Sequence, residues 1–194
     1  MKSLALKISM AVLSMIPLVA KAELIVLASP QSNDAYYAKM IDDIFDFHVD
    51  YAKKIIKNGD NVVVLTDKGL YPDYVKALGK KHVAIAPMHD IWMRDFSSAN
   101  PAQPVMFRYT AAGQGGAKKG QAISDEVQDE FKYYSQKAGL QFTQSKLLND
   151  GGNWVEDGYG NVVLSTKFLA DNKLTESEAR KKLMALTGAK QIAF

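Results

Sequence analysis

The sequence predicts an α/β fold assembled from several small, similar units. Two observations predict it. Short apolar runs of strand length alternate with segments whose apolar residues recur every three or four positions. In addition, a helical segment is closed by a glycine and followed by a strand four times, at Gly59, Gly79, Gly139 and Gly188. Glycine enters the left-handed conformation that ends a helix without steric penalty. The spacing of the four glycines is uneven, which excludes a solenoid.

Residues 1–22 read as an export signal outside the fold. Lys2 and Lys7 supply a positive start, residues 8–19 form a short apolar run, and Ala20, Lys21 and Ala22 give a small-x-small cleavage site. The apolar run is too short to span a bilayer comfortably. The mature chain is therefore expected to begin at Glu23, to be periplasmic or secreted, and to hold residues 23–194 as one domain without a membrane anchor.

The signal carries three lysines and no acid, so its loss lowers the 24 basic residues to 21, equal to the 21 acidic ones. A neutral mature chain offers no electrostatic case for nucleic acid or an acidic membrane as partner. Hydrophobic residues make up 47% of the sequence, enough for a packed core. There is no cysteine, which excludes disulfides, a cysteine-based zinc site and a cysteine nucleophile within these residues.

The elements follow in order. Residues 24–28 predict a buried strand. Asn33 or Asp34 is positioned to cap a helix whose stripe includes Tyr37, Met40, Ile44, His48, Tyr51 and Ile55. A strand over 62–65 follows Gly59. A short helix over 72–78 and a strand over 82–86 flank Gly79. Residues 111–120, rich in Gly, Ala and Lys, are expected to be a mobile loop. A helix from about residue 124 ends near Gly139, and a strand over 140–143 follows. Asp157-Gly158 is a strong turn signal between Trp154-Val155 and a strand over 162–164, which predicts a hairpin. Thr175 and Glu178 stand in capping-box spacing at the start of a helix over 175–186. Residues 191–194 begin a further strand, with no later strand in the sequence to pair with it.

Two segments concentrate functional groups. The first is Asp90-Ile91-Trp92-Met93-Arg94-Asp95-Phe96, directly after a predicted buried strand. A carboxylate beside an aromatic face suits a flat cation such as a guanidinium, because the carboxylate accepts two parallel N–H bonds and the ring adds a cation–π contact. Taken locally, the bland reading is at least as good: Arg94 and Asp95 brace the loop and Trp92 packs in the core. The second is Asn149-Asp150-Gly151-Gly152-Asn153-Trp154, where paired glycines after an acid permit close backbone approach. Other candidates carry less. The glycines at 113–116 lack the Gly-Lys-Ser/Thr ending of a phosphate loop. Residues 149–161 lack the alternating ligands of a calcium loop. His48 lies on a helix stripe and reads as a satisfied core residue. His89 and Asp90 with Ser97 or Ser98 share a hydrolase's residue types without evidence of its geometry.

Taken together and in order, the Trp-x-Arg-Asp segment, the acid-Gly-Gly-Asn segment and Asp157-Gly158-Tyr159-Gly160 resemble the agmatine deiminase and bacterial peptidylarginine deiminase family. The resemblance runs from about Leu24 to the end. It implies the pentein fold, an α/β-propeller ring of ββαβ-type units, of which this length would supply roughly the first half as a partial pentein. It also implies hydrolysis of a guanidinium to a ureido group with release of ammonia, by a cysteine thiolate with a histidine handling protons. Carried over by position, Asp95 is the acid that grips the guanidinium. Asp150 is the acid before the paired glycines, usually glutamate, which lies by the catalytic histidine. Trp92 and Arg94 serve as wall and support. The substrate-binding set is thus Trp92, Arg94 and Asp95, the catalytic set is Asp95 and Asp150, and no cofactor or metal is implied.

The chain departs from the family pattern. No histidine follows His89, no cysteine occurs, Asp150 is one methylene shorter than glutamate, and Asp171-Asn172 replaces an Asn-rich segment. The chain is therefore expected to be a truncated or split deiminase, inactive by itself. Its expected partners are a small guanidinium compound or an arginine side chain, and a missing C-terminal half or a second copy covering apolar faces that half a ring exposes. The competing reading is an exported module that binds cations or another protein without catalysis.

Overall fold

The computed structural model describes residues 23–98, 104–110 and 116–194. The expected signal segment, and residues 111–115 of the expected mobile loop, lie outside the described residues. Three small sheets organise the described part.

The first sheet holds β1 (Leu24–Ala28), β2 (Asn61–Thr66) and β3 (Val83–Ile85), all parallel. Parallel strands need a crossover, and α1 (Ile41–Lys57) and α2 (Tyr71–Leu78) supply it. Ala52 and Ile55 of α1 pack on Val62, while Tyr74 of α2 packs with Val64 and Val83. The buried His48 ring is 3.1 Å from the Tyr74 hydroxyl, as a satisfied core histidine requires.

The helix α1 starts later than its apolar stripe predicts. Asp34 does accept backbone N–H bonds, from Tyr36 and Tyr37, but these close a turn ahead of the helix. Met40 and Tyr51, assigned to the buried stripe, are exposed. His82 forms a 3-10 turn with Lys80 and Lys81 before the shortened strand β3.

The second sheet is a parallel pair, β4 (Val105–Arg108) and β5 (Thr143–Leu148), joined by α4 (Ala117–Lys137). Strand β4 was not foreseen. It separates two cores: Val105 and Phe107 pack with Trp154 and Phe168, and Met106 packs with Phe96 and Phe131. A strand buried on both faces shows no polar–apolar alternation. Helix α4 begins about seven residues earlier than expected, so residues 117–120 are helical and not loop, and β5 runs later than the predicted 140–143.

The third sheet is a complete ββαβ unit. β6 (Val155–Glu156) and β7 (Asn161–Val163) form the predicted hairpin, with Gly158 at φ +75°. α5 (Lys167–Asn172), a short helix not foreseen, and α6 (Glu176–Thr187) lead to β8 (Gln191–Ala193), parallel to β7. The terminal strand thus has a partner in the strand before it. The Thr175–Glu178 capping box is present in both directions. All four helix-closing glycines have φ between +72° and +93°.

Candidate functional site

The first motif folds as a sharp loop and one helical turn, α3 (Met93–Phe96). Phe96 is fully buried against Tyr109 and Phe131, and this anchor fixes the turn on the second core. Asp90 is buried and accepts from the Tyr37 hydroxyl (2.9 Å) and the Ile91 N–H (2.7 Å), so it shapes the loop. Trp92 is not core: it is 59% exposed at the entrance to the turn. Trp154 is the buried tryptophan, and its indole N–H is satisfied by Glu156.

The acid-Gly-Gly segment is a 3-10 turn over Gly151–Asn153, docked directly on α3. Arg94 holds it, donating to the Gly151 carbonyl (3.3 Å) and the Trp154 carbonyl (3.0 Å). The Gly152 N–H donates to Asp95 Oδ1 at 2.9 Å. The contact requires glycine at 151 and crowds any side chain at 152. A β-carbon at Gly151 would lie 1.7 Å from the Arg94 carbonyl oxygen, and one at Gly152 would lie 2.9 Å from Asp95 Oδ1. The two sequence motifs, 57 residues apart, are therefore one structural site.

Asp95 lies within this junction. Burial raises its carboxyl above the ordinary range, and the nearby Asp150 and Asp90 charges push the same way, while the Gly152 N–H and Arg94 oppose them. Among the described residues no donor reaches its second oxygen, Oδ2. A half-buried carboxylate in that condition is poised to accept a cation.

Asp150 has different company. Its Oδ1 accepts from the Thr110 hydroxyl at 2.7 Å, and its Oδ2 is 3.7 Å from the Lys167 ammonium. Lys167 also pairs with Asp171 and donates to Thr110 Oγ1 at 3.4 Å. Thr110 and Lys167 were not singled out in the sequence, and no local pattern marks them. The Asp171-Asn172 pair splits in role. Asn172 is a brace, its amide accepting from Leu148 N–H and donating to the Leu148 and Phe168 carbonyls. Of the hydrolase grouping, His89 faces Gln31 and Glu130, and Asp90 accepts from the Tyr37 hydroxyl. Among the described residues no group of three or more His, Asp or Glu side chains can hold a metal, and no helix is long and apolar enough to cross a membrane. A cleft of about 800 Å³ beside β5 and α6 includes Asp171 but none of Trp92, Asp95 or Asp150.

The fold is that of solved guanidine deiminases. The C. jejuni agmatine deiminase superposes with a TM-score of 0.67 at 17% identity, covering 89% of this chain and 52% of that one. A Cys-to-Ser variant of that enzyme with substrate bound gives 0.65 at 16%, covering 89% and 52%. The Enterococcus faecalis agmatine deiminase gives 0.61 at 14%, covering 88% and 49%. The chain belongs to the Porphyromonas-type peptidyl-arginine deiminase family, which matches residues 14–194. No curated protein sequence matches it. The chain spans about half the length of the solved relatives.

Proposed function

We propose that this chain provides the cation-gripping part of a guanidine deiminase site, in which Asp95 receives the guanidinium of agmatine or of an arginine side chain. The observation that carries the reading is the Asp95–Gly152 junction. One carboxylate oxygen is fixed by a backbone N–H, and the other faces no donor among the described residues. A flat cation laid against Oδ2 gains a charge-assisted hydrogen bond in a partly desolvated setting, and the exposed Trp92 ring offers it an aromatic face. Arg94 does not touch the cation. It holds the Gly-Gly turn in place and leaves Asp95 to carry the negative charge.

These 194 residues contain no cysteine, so the thiolate of the family reaction is not among them. The chain's own share of the chemistry is to bind and orient the cation, and it is inactive as a deiminase by itself. Its three small sheets are an arc of the pentein ring that the resemblance implies, and it acts outside the cytoplasm after removal of residues 1–22. The test is Trp92 fluorescence on addition of agmatine or an arginine peptide, together with an ammonia assay. The expected result is a saturable change, absent in Trp92→Phe, with no ammonia released. Ammonia release by the chain alone would overturn this division of labour.

A further inference from the structure

The three sheets follow one stacking rule, and it leaves two faces open. The first sheet turns Leu27, Val62 and Val64 toward α1 and α2, and turns Ala28 and Leu65 toward Val127 and Phe131 of α4, the helix of the next unit. The second sheet turns Met106 toward its own α4, and turns Val105 and Phe107 toward Ala179 and Leu183 of α6, again the helix of the next unit. Helices α4 and α6 thus each lie between the sheet of their own unit and the sheet of the unit before.

The third sheet has only half of this packing. Val162 and Ile192 face α6, and no further helix follows among the described residues. Residues directly opposite one another on paired strands share a face. The outer face therefore carries Val155, Val163 and Ala193 as one row and Asn161 with Gln191 as the next. Val155 is 56% and Val163 55% exposed, and none of the five residues is charged.

Helix α1 lacks the opposite member, a preceding sheet. Ala52 and Ile55 pack on its own sheet. Met40 at the N-cap, Ile44, Phe47 and Tyr51 follow at spacings of four, three and four, which sets a second apolar stripe beside the buried one. Phe47 is 62% exposed and its ring stacks on Tyr51, with centroids 5.7 Å apart. Contiguous exposed apolar stripes of this kind mark interaction surfaces.

We propose that a second copy of this chain lays its α1 stripe on the outer face of the third sheet, so that copies associate head to tail by the contact that already occurs twice inside the chain. A second copy brings both members that the stacking rule lacks, a helix stripe for the third sheet and a sheet face for α1. Both surfaces are uncharged, so their burial leaves no ion without a partner. Met40 to Tyr51 runs about 16 Å along the helix. The row from Val155 to Ala193 crosses two strand spacings, about 10 Å, so the stripe covers it. The contact joins two different patches and is heterologous, and each pair of copies keeps one patch of each kind for further addition or closure.

The test is sedimentation of the purified chain from low micromolar to several hundred micromolar. Phe47→Lys breaks the helix patch and Val163→Lys the sheet patch. Both positions are exposed, and circular dichroism confirms that each variant is folded; Tyr51→Lys and Val155→Lys are the second pair. The wild type is expected to gain mass with concentration. Each variant alone is expected to stay monomeric where the wild type associates, a weakening of about tenfold or more. An equimolar mixture of Phe47→Lys and Val163→Lys is expected to form a pair and stop at two chains, because the first keeps an intact sheet patch and the second an intact α1. A wild type that stays monomeric throughout would overturn the proposal and leave these faces to a different partner. Association that persists in both variants, or variants that fail to pair when mixed, would overturn it as well.

Discussion

Gly151 and Arg94 are in backbone contact across 57 residues of sequence: a β-carbon on the glycine would lie 1.7 Å from the arginine's carbonyl oxygen, while the arginine side chain reaches round to the glycine's own carbonyl. This double contact positions the Gly152 N–H on Asp95.

Gly151→Ala is expected to force the 3-10 turn away from α3. The obstacle is backbone, which cannot rotate aside as a side chain can. A loss of about 3 kcal/mol or more in unfolding free energy is expected, in the range of overpacked or strained core positions. Chemical denaturation of the variant checks this, and a change below about 0.5 kcal/mol would show that the contact is not as drawn.

Arg94→Lys preserves the charge and removes the planar fork that serves two carbonyls at once. An ammonium on a shorter reach satisfies one of the Gly151 and Trp154 carbonyls at best. The expected cost is about 1–3 kcal/mol for the carbonyl left without its donor. Guanidine affinity should fall with it, because the turn that orients Asp95 is loosened. Retained affinity with reduced stability would confine Arg94 to a structural role remote from Asp95.

The fold class, the four helix-closing glycines, the hairpin at Asp157-Gly158 and the Thr175–Glu178 cap were legible because each depends on residues within a few positions of one another. What escaped depended on distant partners. β4 has apolar residues facing two cores and therefore no period to read. The first turn of α4 includes Gly120, a poor helix former on its own, yet buried where the helix packs. Asp95 and Asp150 could be named from the motif, whereas the exposure of Trp92 reverses the local reading that packs it in the core. The resemblance assigns Arg94 to the substrate-binding set and to support of the loop, and its side chain is found donating to the Gly151 and Trp154 carbonyls. Lys167 and Thr110 stand 57 residues apart and meet only in the folded chain, so neither carries a local signal.

The raised Asp95 pKa gives guanidine binding a definite pH dependence. The cation needs the ionised carboxylate, so affinity falls as pH drops through that value. Because burial lifts it above the ordinary 3.8, the loss begins at higher pH than for an exposed aspartate. The stability effect has the opposite sense. A raised folded-state value means the fold holds this proton more tightly, so its contribution is full below 3.8 and is lost as pH rises through the folded value. Titrations of guanidine binding across acidic pH check the first statement, and a midpoint at or below 3.8 would contradict it.

Burial lowers the His48 pKa from 6.5 to about 4. Between those values the unfolded chain takes up a proton that the folded chain refuses. Stability is therefore complete above 6.5 and declines as pH falls toward 4, by up to about 3 kcal/mol. His48→Gln removes this contribution. Denaturation midpoints followed from pH 7 to pH 4 should fall less steeply in the variant, and parallel slopes would show that His48 titrates as an exposed histidine.

The central claim is that Asp95 is the anion that receives a guanidinium. Its most direct test is calorimetric titration of the chain with N-acetyl-argininamide, wild type against Asp95→Asn, which keeps the side chain's shape and the acceptor facing Gly152 while removing the charge. The account predicts saturable binding to the wild type and a loss of about tenfold or more in the variant. Equal affinity in the two proteins would contradict it.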